Sequence, residues 1–227
     1  MSNYNIAIDG PSGAGKSTLA RKCAAMLGFI YVDTGAMYRT VGLAAHRVGV
    51  DRKNEEAVSS LFPDIHIEMK YDGKGEQRMY LNGEDVSREI RTPEISVCAS
   101  DVSALPAVRR FLEELQQSMA RNYSVIMDGR DIGTEILPDA DVKIFLTASA
   151  QRRAERRYKE LREKGDNSSF EEVLAGIEYR DRQDSERSFR PLRMAEDAVL
   201  LDTSELDLQQ SLDAILKIIY DRTGIKP

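Results

Sequence analysis

The sequence predicts an α/β protein of three layers, with a central parallel five-stranded sheet, an inserted small antiparallel β subdomain and a helical lid. Three observations lead there: five short apolar runs that each end in a polar residue, amphipathic helical stripes between them, and one connection too long for a simple crossover. A chain of 227 residues suits one such domain with insertions better than two independent domains.

The strand candidates are Asn5–Asp9, Phe29–Asp33, Ser124–Asp128, Val142–Thr147 and Ala198–Asp202. Short runs rich in Val, Ile and Leu suit strands buried on both faces, and their polar C-terminal ends mark the edge where such sheets hold ligands. Helical stripes follow at Leu19, Ala20, Cys23, Ala24 and Leu27 with Gly28 as a stop, at Val108, Leu112, Leu115 and Met119, and at Leu208, Leu212, Ile215 and Ile219. In the long connection Ile65, Ile67 and Met69 alternate with polar residues. A loop at Asp72-Gly73-Lys74-Gly75 then leads to Met79-Tyr80-Leu81 and an Asn82-Gly83 turn, which predicts a small antiparallel unit over 63–91. Residues 150–193 are helical, highly charged and broken at Gly165-Asp166-Asn167, as a mobile flap would be. The expected organisation is a single domain over 1–227, with its core at 1–38, 92–149 and 194–227, a monophosphate-binding insertion at 39–91 and a lid at 150–193.

Composition narrows the function. The chain is 41% hydrophobic and 31% charged, and no apolar run approaches the roughly 18 to 20 residues of a membrane span. Met1–Tyr4 lead straight into the first strand with no secretion signal, so a cytoplasmic protein is expected. Cys23 and Cys98 match neither a zinc nor a redox spacing and read as buried thiols. A net charge of −6 argues against a general nucleic-acid binder, although ten arginines crowd the stretch from Arg152 to Arg193.

Gly10-Pro11-Ser12-Gly13-Ala14-Gly15-Lys16-Ser17-Thr18 satisfies GxxxxGK[ST], with a strand before it and an amphipathic helix after it. Glycines let backbone N–H groups turn inward on phosphate, and the helix adds its positive end. Lys16 then reaches the β- and γ-phosphates of ATP, and Ser17 is placed to ligate Mg²⁺. Asp128 fits two roles, a carboxylate holding Mg²⁺ through water or a strand-end cap. The fold expected is that of the P-loop kinases.

The second strand ends in Asp33-Thr34-Gly35-Ala36-Met37-Tyr38-Arg39 and the third in Asp128-Gly129-Arg130-Asp131, which brings polar groups to the edge that carries the cradle. Asp33 and Thr34 suit either an acceptor site or a helix N-cap. Transfer between two phosphates needs cations against their repulsion, and a closing arginine-rich segment also excludes water. Arg152, Arg153, Arg156 and Arg157 place two pairs on one helical face, and Arg180, Asp184 and Arg187 share another. The bland alternative is a solvated helix stitched by pairs such as Glu155 with Lys159.

GPSGAGKST, DTGAMYR, GRDIGT and RDRQDSER in this order resemble the bacterial cytidylate kinases of the short, type 1 family, almost end to end and including the 63–91 insertion. The resemblance implies a monomeric, Mg²⁺-dependent enzyme of pyrimidine nucleotide metabolism. It would move the γ-phosphoryl of ATP to CMP or dCMP, with no nucleic-acid or membrane partner. Carried over by position, acceptor phosphate contacts fall on Arg39, Arg130 and Arg187, ribose contacts on Asp184 and Arg180, and cytosine contacts on Ser100, Arg109 and Asp131, with Thr34 lining the site. Lys16, Arg130 and Arg187, with Arg153 and Arg157 of the lid, are the expected catalytic residues. Ser17 stands where some members of the family have Gly.

Cytosine offers an amino donor at N4 and acceptors at N3 and O2, so a carboxylate and an arginine suit it, whereas uracil turns an acceptor toward the carboxylate. No general base is needed for an acceptor oxygen that is already ionised, and His46 and His66 lie on a predicted helix and hairpin surface. The rival readings are a P-loop kinase for UMP, AMP or shikimate, and a nucleotide switch or RNA-binding regulator using the basic flap.

Overall fold

A computed structural model describes residues 3–73, 75–163 and 165–226. Lys74 of the hairpin loop, and Met1 and Ser2 of the N-terminal lead-in, lie outside the described residues. In chain order the elements are β1 (Asn5–Asp9), α1 (Lys16–Leu27), β2 (Ile30–Asp33), α2 (Thr34–Val48), α3 (Glu55–Ser59), β3 (Ile67–Tyr71), β4 (Gln77–Leu81), β5 (Glu84–Asp85), α4 (Pro93–Ser103), α5 (Pro106–Asn122), β6 (Val125–Gly129), β7 (Val142–Thr147), α6 (Ala150–Glu163), α7 (Phe170–Glu186), β8 (Val199–Asp202) and α8 (Leu208–Thr223). A single π-helical turn, Ile132–Ile136, follows β6. All five expected strands are present to within a residue at either end, in a parallel sheet ordered β2-β6-β1-β7-β8.

The chain divides into two compact units, one of Met1–Tyr31 with Asn122–Pro227 and one of Val32–Arg121. The first holds most of the sheet. β1 pairs in register with β6 from Asn5 opposite Val125 to Asp9 opposite Gly129, and with β7 from Ile6 opposite Val142 to Asp9 opposite Phe145. Ile6, Ile8, Ile126, Ile144 and Leu146 meet Leu19, Ala20 and Cys23 of α1 and Leu212, Ile215 and Ile219 of α8 in one core. Burial pushes the Cys23 thiol up to about 12, as an inert apolar site does. β8 departs from the expectation of strands buried on both faces: it lies at the sheet edge, its residues alternate, and Leu200 is 58% exposed. Leu208 likewise leaves its stripe for solvent, because Asp207 caps α8 there in a reciprocal box with Gln210.

The flap is a helical pair, α6 and α7, with an apolar seam of its own. Ala154, Val173 and Ile177 are buried in it, and the Tyr158 and Phe170 rings meet edge-on at 6.0 Å. Ser169 and Glu172 form a capping box that starts α7.

In the second unit α2 packs on α4 through Gly42. A Cβ there would come within 2.9 Å of Ala99 N and 3.0 Å of Cys98 C, so only glycine lets the two backbones approach. The expected hairpin is β3 and β4, extended by β5 across an Asn82-Gly83 turn with φ of 51° and 83° at the two residues. The buried stripe of α5 is turned by one residue from expectation: Leu115 and Met119 are half-buried, while Arg109 and Gln116 are buried beside Val108 and Leu112. The reason is Arg109, whose guanidinium lies 5.4 Å from the centre of the Tyr38 ring and donates to the Tyr38 hydroxyl and to Ser103 O.

Candidate active site

Gly10 opens the phosphate cradle at φ +147°, a conformation side chains rarely adopt, and its backbone lies so near β7 that an added Cβ would meet Leu146 O at 1.9 Å. Gly15, also left-handed, caps α1 without a side-chain bond, so the first amides of the helix stay open to an anion. Lys16 is buried, and its ammonium donates to Pro11 O at 2.8 Å. Burial first, and the nearby Arg130 charge second, lower its pKa from 10.5 to about 7, against the opposing pull of Asp128, Asp184 and Asp9. An ammonium so poorly solvated gains strongly from a polyphosphate.

The Ser17 hydroxyl donates to Asp128 Oδ2 at 2.8 Å, and Tyr31 donates to the other oxygen of that carboxylate at 2.8 Å. A hydroxyl and a carboxylate side by side are hard oxygen donors of the kind Mg²⁺ takes, few enough to leave room for phosphate oxygens and water. No group of three His, Cys, Asp or Glu side chains forms a metal cage among the described residues. Both roles open to Asp128, strand-end cap or ligand, are compatible with its bond to Ser17.

The residues after β6 form a charged cluster with α7. Arg130 Nε donates to Asp184 Oδ2 at 2.6 Å, and Arg187, just past the end of α7, stands 3.8 Å from Asp184 Oδ1 and 3.9 Å from Asp131 Oδ1. Burial works to raise the Asp184 pKa, but the Arg130 and Arg187 charges outweigh it and hold the carboxylate below its usual range. Arg187 Nε also donates to Arg190 O at 2.5 Å, a carbonyl turned toward it by the left-handed backbone of Arg190 at φ 51°. Glu135, from the π-helical turn, lies 3.6 Å from Arg190 and 3.1 Å from Arg193. Arg180 is half-buried on α7.

Asp9, at the end of β1, is buried and accepts from Ile132 N at 2.9 Å and Gly133 N at 2.7 Å. Burial raises its pKa to about 6, the two amides oppose the rise and the Asp131 charge adds to it.

The lid arginines divide. Arg152 and Arg156 donate to Ser204 O and Thr203 O beyond β8, at 2.9 and 2.6 Å. Arg157 is exposed and pairs with Glu160 at 3.1 Å. Arg153, expected among the catalytic residues, is held by several partners. It is 4% exposed, grips both oxygens of Asp181 at 2.9 and 2.6 Å, and donates to Ala148 O at 2.8 Å and to Ser12 O of the cradle at 3.0 Å. All three of its nitrogens are committed, so it braces α6 against α7 and the cradle.

In the other unit Asp33 caps α2 by accepting from Ala36 N at 2.9 Å and also holds Arg39 at 2.9 Å. Gly35 lies under that pair: a Cβ would stand 3.1 Å from both the Arg39 guanidinium and the Asp33 carboxylate. Gln77 of β4 clasps the Asp33 backbone on both sides, accepting from its N–H at 2.8 Å and donating to its carbonyl at 3.3 Å. Thr34 is buried, Ser100 is half-buried on α4, and Arg109 lies under Tyr38. His46 and His66 sit at the surface beside Glu94 and Glu68.

Asp9, Tyr31 and Gln77 escaped the sequence reading. A tyrosine inside a buried strand needs a partner for its hydroxyl, and an aspartate next to the cradle glycine was visible at the strand end. Gln77 left no local signal.

A strand–loop–helix cradle with a buried lysine and a hydroxyl–carboxylate pair at its mouth defines a P-loop phosphotransferase. The family model for cytidylate kinase matches residues 6–221. A cytidylate kinase of Caldicellulosiruptor bescii is 46% identical over 220 residues, covering 97% of this chain and 97% of that protein. One of Lactobacillus johnsonii is 50% identical over 222 residues, covering 97% and 96%. The chain belongs to the cytidylate kinase family. Among solved structures, an uncharacterized protein from Eubacterium ventriosum shares the fold, with a TM-score of 0.51 at 14% identity over 97% of this chain and 100% of that one.

Proposed function

We propose that this chain transfers the γ-phosphoryl group of ATP to CMP or dCMP, giving ADP and CDP or dCDP, as a cytoplasmic monomer of pyrimidine nucleotide metabolism. The observation that carries the reading is the run Arg130-Asp131 with Asp184 and Arg187, a cluster of cations and carboxylates on the same unit as the cradle. On the resemblance of its motifs, these residues, with Thr34, Arg39, Ser100, Arg109 and Arg180, would serve one acceptor nucleotide.

Gly10 to Thr18 hold the donor phosphates, and Lys16 exchanges its bond to Pro11 O for phosphate oxygens. Ser17 and Asp128 would hold Mg²⁺, which when bound neutralises charge on the donor phosphates. Arg130 and Arg187 receive the acceptor phosphate and, with Arg39, offset repulsion between donor and acceptor. The attacking oxygen is ionised, so no side chain removes a proton from it. Arg157 is the lid arginine left to approach the transferring group, with Arg153 steadying the cradle beneath. Asp131 accepts from cytosine N4 and Arg109 donates to the base. A uracil O4 against Asp131 leaves acceptor facing acceptor, at a cost of about 1 to 3 kcal/mol. The net charge of −6 and the engagement of Arg152, Arg153 and Arg156 within the protein favour this over a polyanion-binding role.

ATP consumption measured with CMP, dCMP and UMP in parallel tests the reading. Turnover with CMP and dCMP well above that with UMP is expected, and Asp131→Ala should lower the CMP/UMP ratio of kcat/KM by about five- to 150-fold. Equal rates with all three acceptors, or with none, would refute the assignment.

A further inference from the structure

The phosphate chemistry leaves Asp9 without a part, yet its surroundings are specific. It is the last residue of the buried strand β1 and precedes Gly10, where the donor cradle begins. Its two carboxylate oxygens are spent on two successive amides, Ile132 N and Gly133 N, the first two after Asp131. Those amides open the π-helical turn Ile132–Ile136, a wide turn with no side-chain cap of its own at Asp131. Among side chains of this length only a carboxylate accepts on both oxygens. Asparagine would turn an N–H toward one of the two amides and leave it buried without an acceptor. A buried carboxylate facing the Asp131 charge is also poorly placed for stability alone, which its raised pKa, about 6, reflects.

We infer that Asp9 is a positioning residue for base recognition: by fixing the amides of Ile132 and Gly133 it sets the direction in which Asp131 leaves β6, and so governs the choice of cytosine over uracil without touching either base. The inference rests on the role given to Asp131 above. It links the two substrates through one side chain, since the residue that begins the cradle and the residue that reads the base are held by neighbouring atoms of the same strand end.

The test is a double-mutant cycle read as the CMP/UMP ratio of kcat/KM at saturating ATP, in wild type, Asp9→Asn, Asp131→Ala and the double variant. A ratio does not depend on how much of a preparation is folded, so a loss of stability leaves the readout intact, and Asp9→Ala serves as a second variant that removes both acceptors. A roughly tenfold fall is expected for Asp9→Asn in the wild-type background, from loss of a charged hydrogen bond. It should come mainly from a raised KM for CMP, with KM for ATP within about twofold of wild type, and Asp9→Ala should fall at least as far. On the Asp131→Ala background Asp9→Asn should change the ratio by less than about twofold. Equal falls in both backgrounds would overturn the inference, because Asp9 would then act by another route. A ratio that falls in Asp131→Ala but in neither Asp9 variant would refute the part given to Asp9 alone. An unchanged ratio in Asp131→Ala would refute the reading of Asp131 and the route through it.

Discussion

Binding of a triphosphate to the apoenzyme at about pH 8 is expected to take up close to one proton. Lys16 is held near 7 by burial and by Arg130, so at about pH 8 roughly one molecule in ten carries the ammonium before ligand arrives. Phosphate oxygens replace the Pro11 carbonyl as its partner and favour the charged form, which gives an uptake of about 0.9 proton, falling to about half a proton at about pH 7. The last ionisation of the ATP terminal phosphate, with a pKa of about 6 as for other phosphate monoesters, is nearly complete at about pH 8 and contributes little there. Calorimetric titration with Mg²⁺-free ATP, in buffers of low and high ionisation enthalpy at one pH, reads the number as the slope of apparent against buffer enthalpy. The same linkage fixes two signs. Between about 7 and the unfolded value of 10.5 the unfolded chain binds a proton that the native apoenzyme has released, so apoenzyme stability rises with pH across that window. ATP selects the protonated form, so its affinity falls in the same window, approaching tenfold per pH unit. A slope of zero at about pH 8, or an affinity flat between about pH 7 and 9, would show that Lys16 is charged throughout and that burial does not govern it.

Tyr31→Phe removes a hydrogen bond on Asp128, and the Mg²⁺ concentration for half-maximal activity should rise severalfold; an unchanged Mg²⁺ requirement would separate Tyr31 from the metal ligand. Gln77→Ala frees both sides of the Asp33 backbone, a loss of about 1 kcal/mol that should appear as a roughly fivefold higher KM for CMP with KM for ATP unchanged. Gly42→Val forces β-carbon bulk against the Ala99 and Cys98 backbone, and thermal unfolding should shift down by several degrees, a cost of about 1 to 3 kcal/mol; an unshifted transition would mean α2 and α4 part freely.

Much of the frame was legible because backbone rules are local. The apolar runs ended within a residue of where the strands end, and Asn82-Gly83 turned as its residue types require. The errors fall where a polar side chain is buried by a partner distant in sequence. A hydrophobicity stripe passed over Arg109 because no apolar count registers a guanidinium settled on Tyr38. Arg153 shares its spacing with its neighbours, and nothing local announces its partner Asp181, 28 residues on. Asp33 carried two readings, acceptor site or helix N-cap; the N-cap is present, and the carboxylate also grips Arg39. Asp9 was one of four strand-terminal aspartates, and nothing in its neighbours announced the two amides it would meet.

The pairing of Arg130 and Arg187 with Asp184 makes arrival of the acceptor an exchange of partners. On the proposed reading a nucleotide brings a phosphate for the arginines and ribose hydroxyls for the carboxylate they release, so every charge finds a new neighbour. Inorganic phosphate or sulfate offers the first without the second and leaves the half-buried Asp184 without a replacement partner. The resting ion pairs thereby act as a filter that turns away bare anions while admitting the same charge when it comes attached to a sugar.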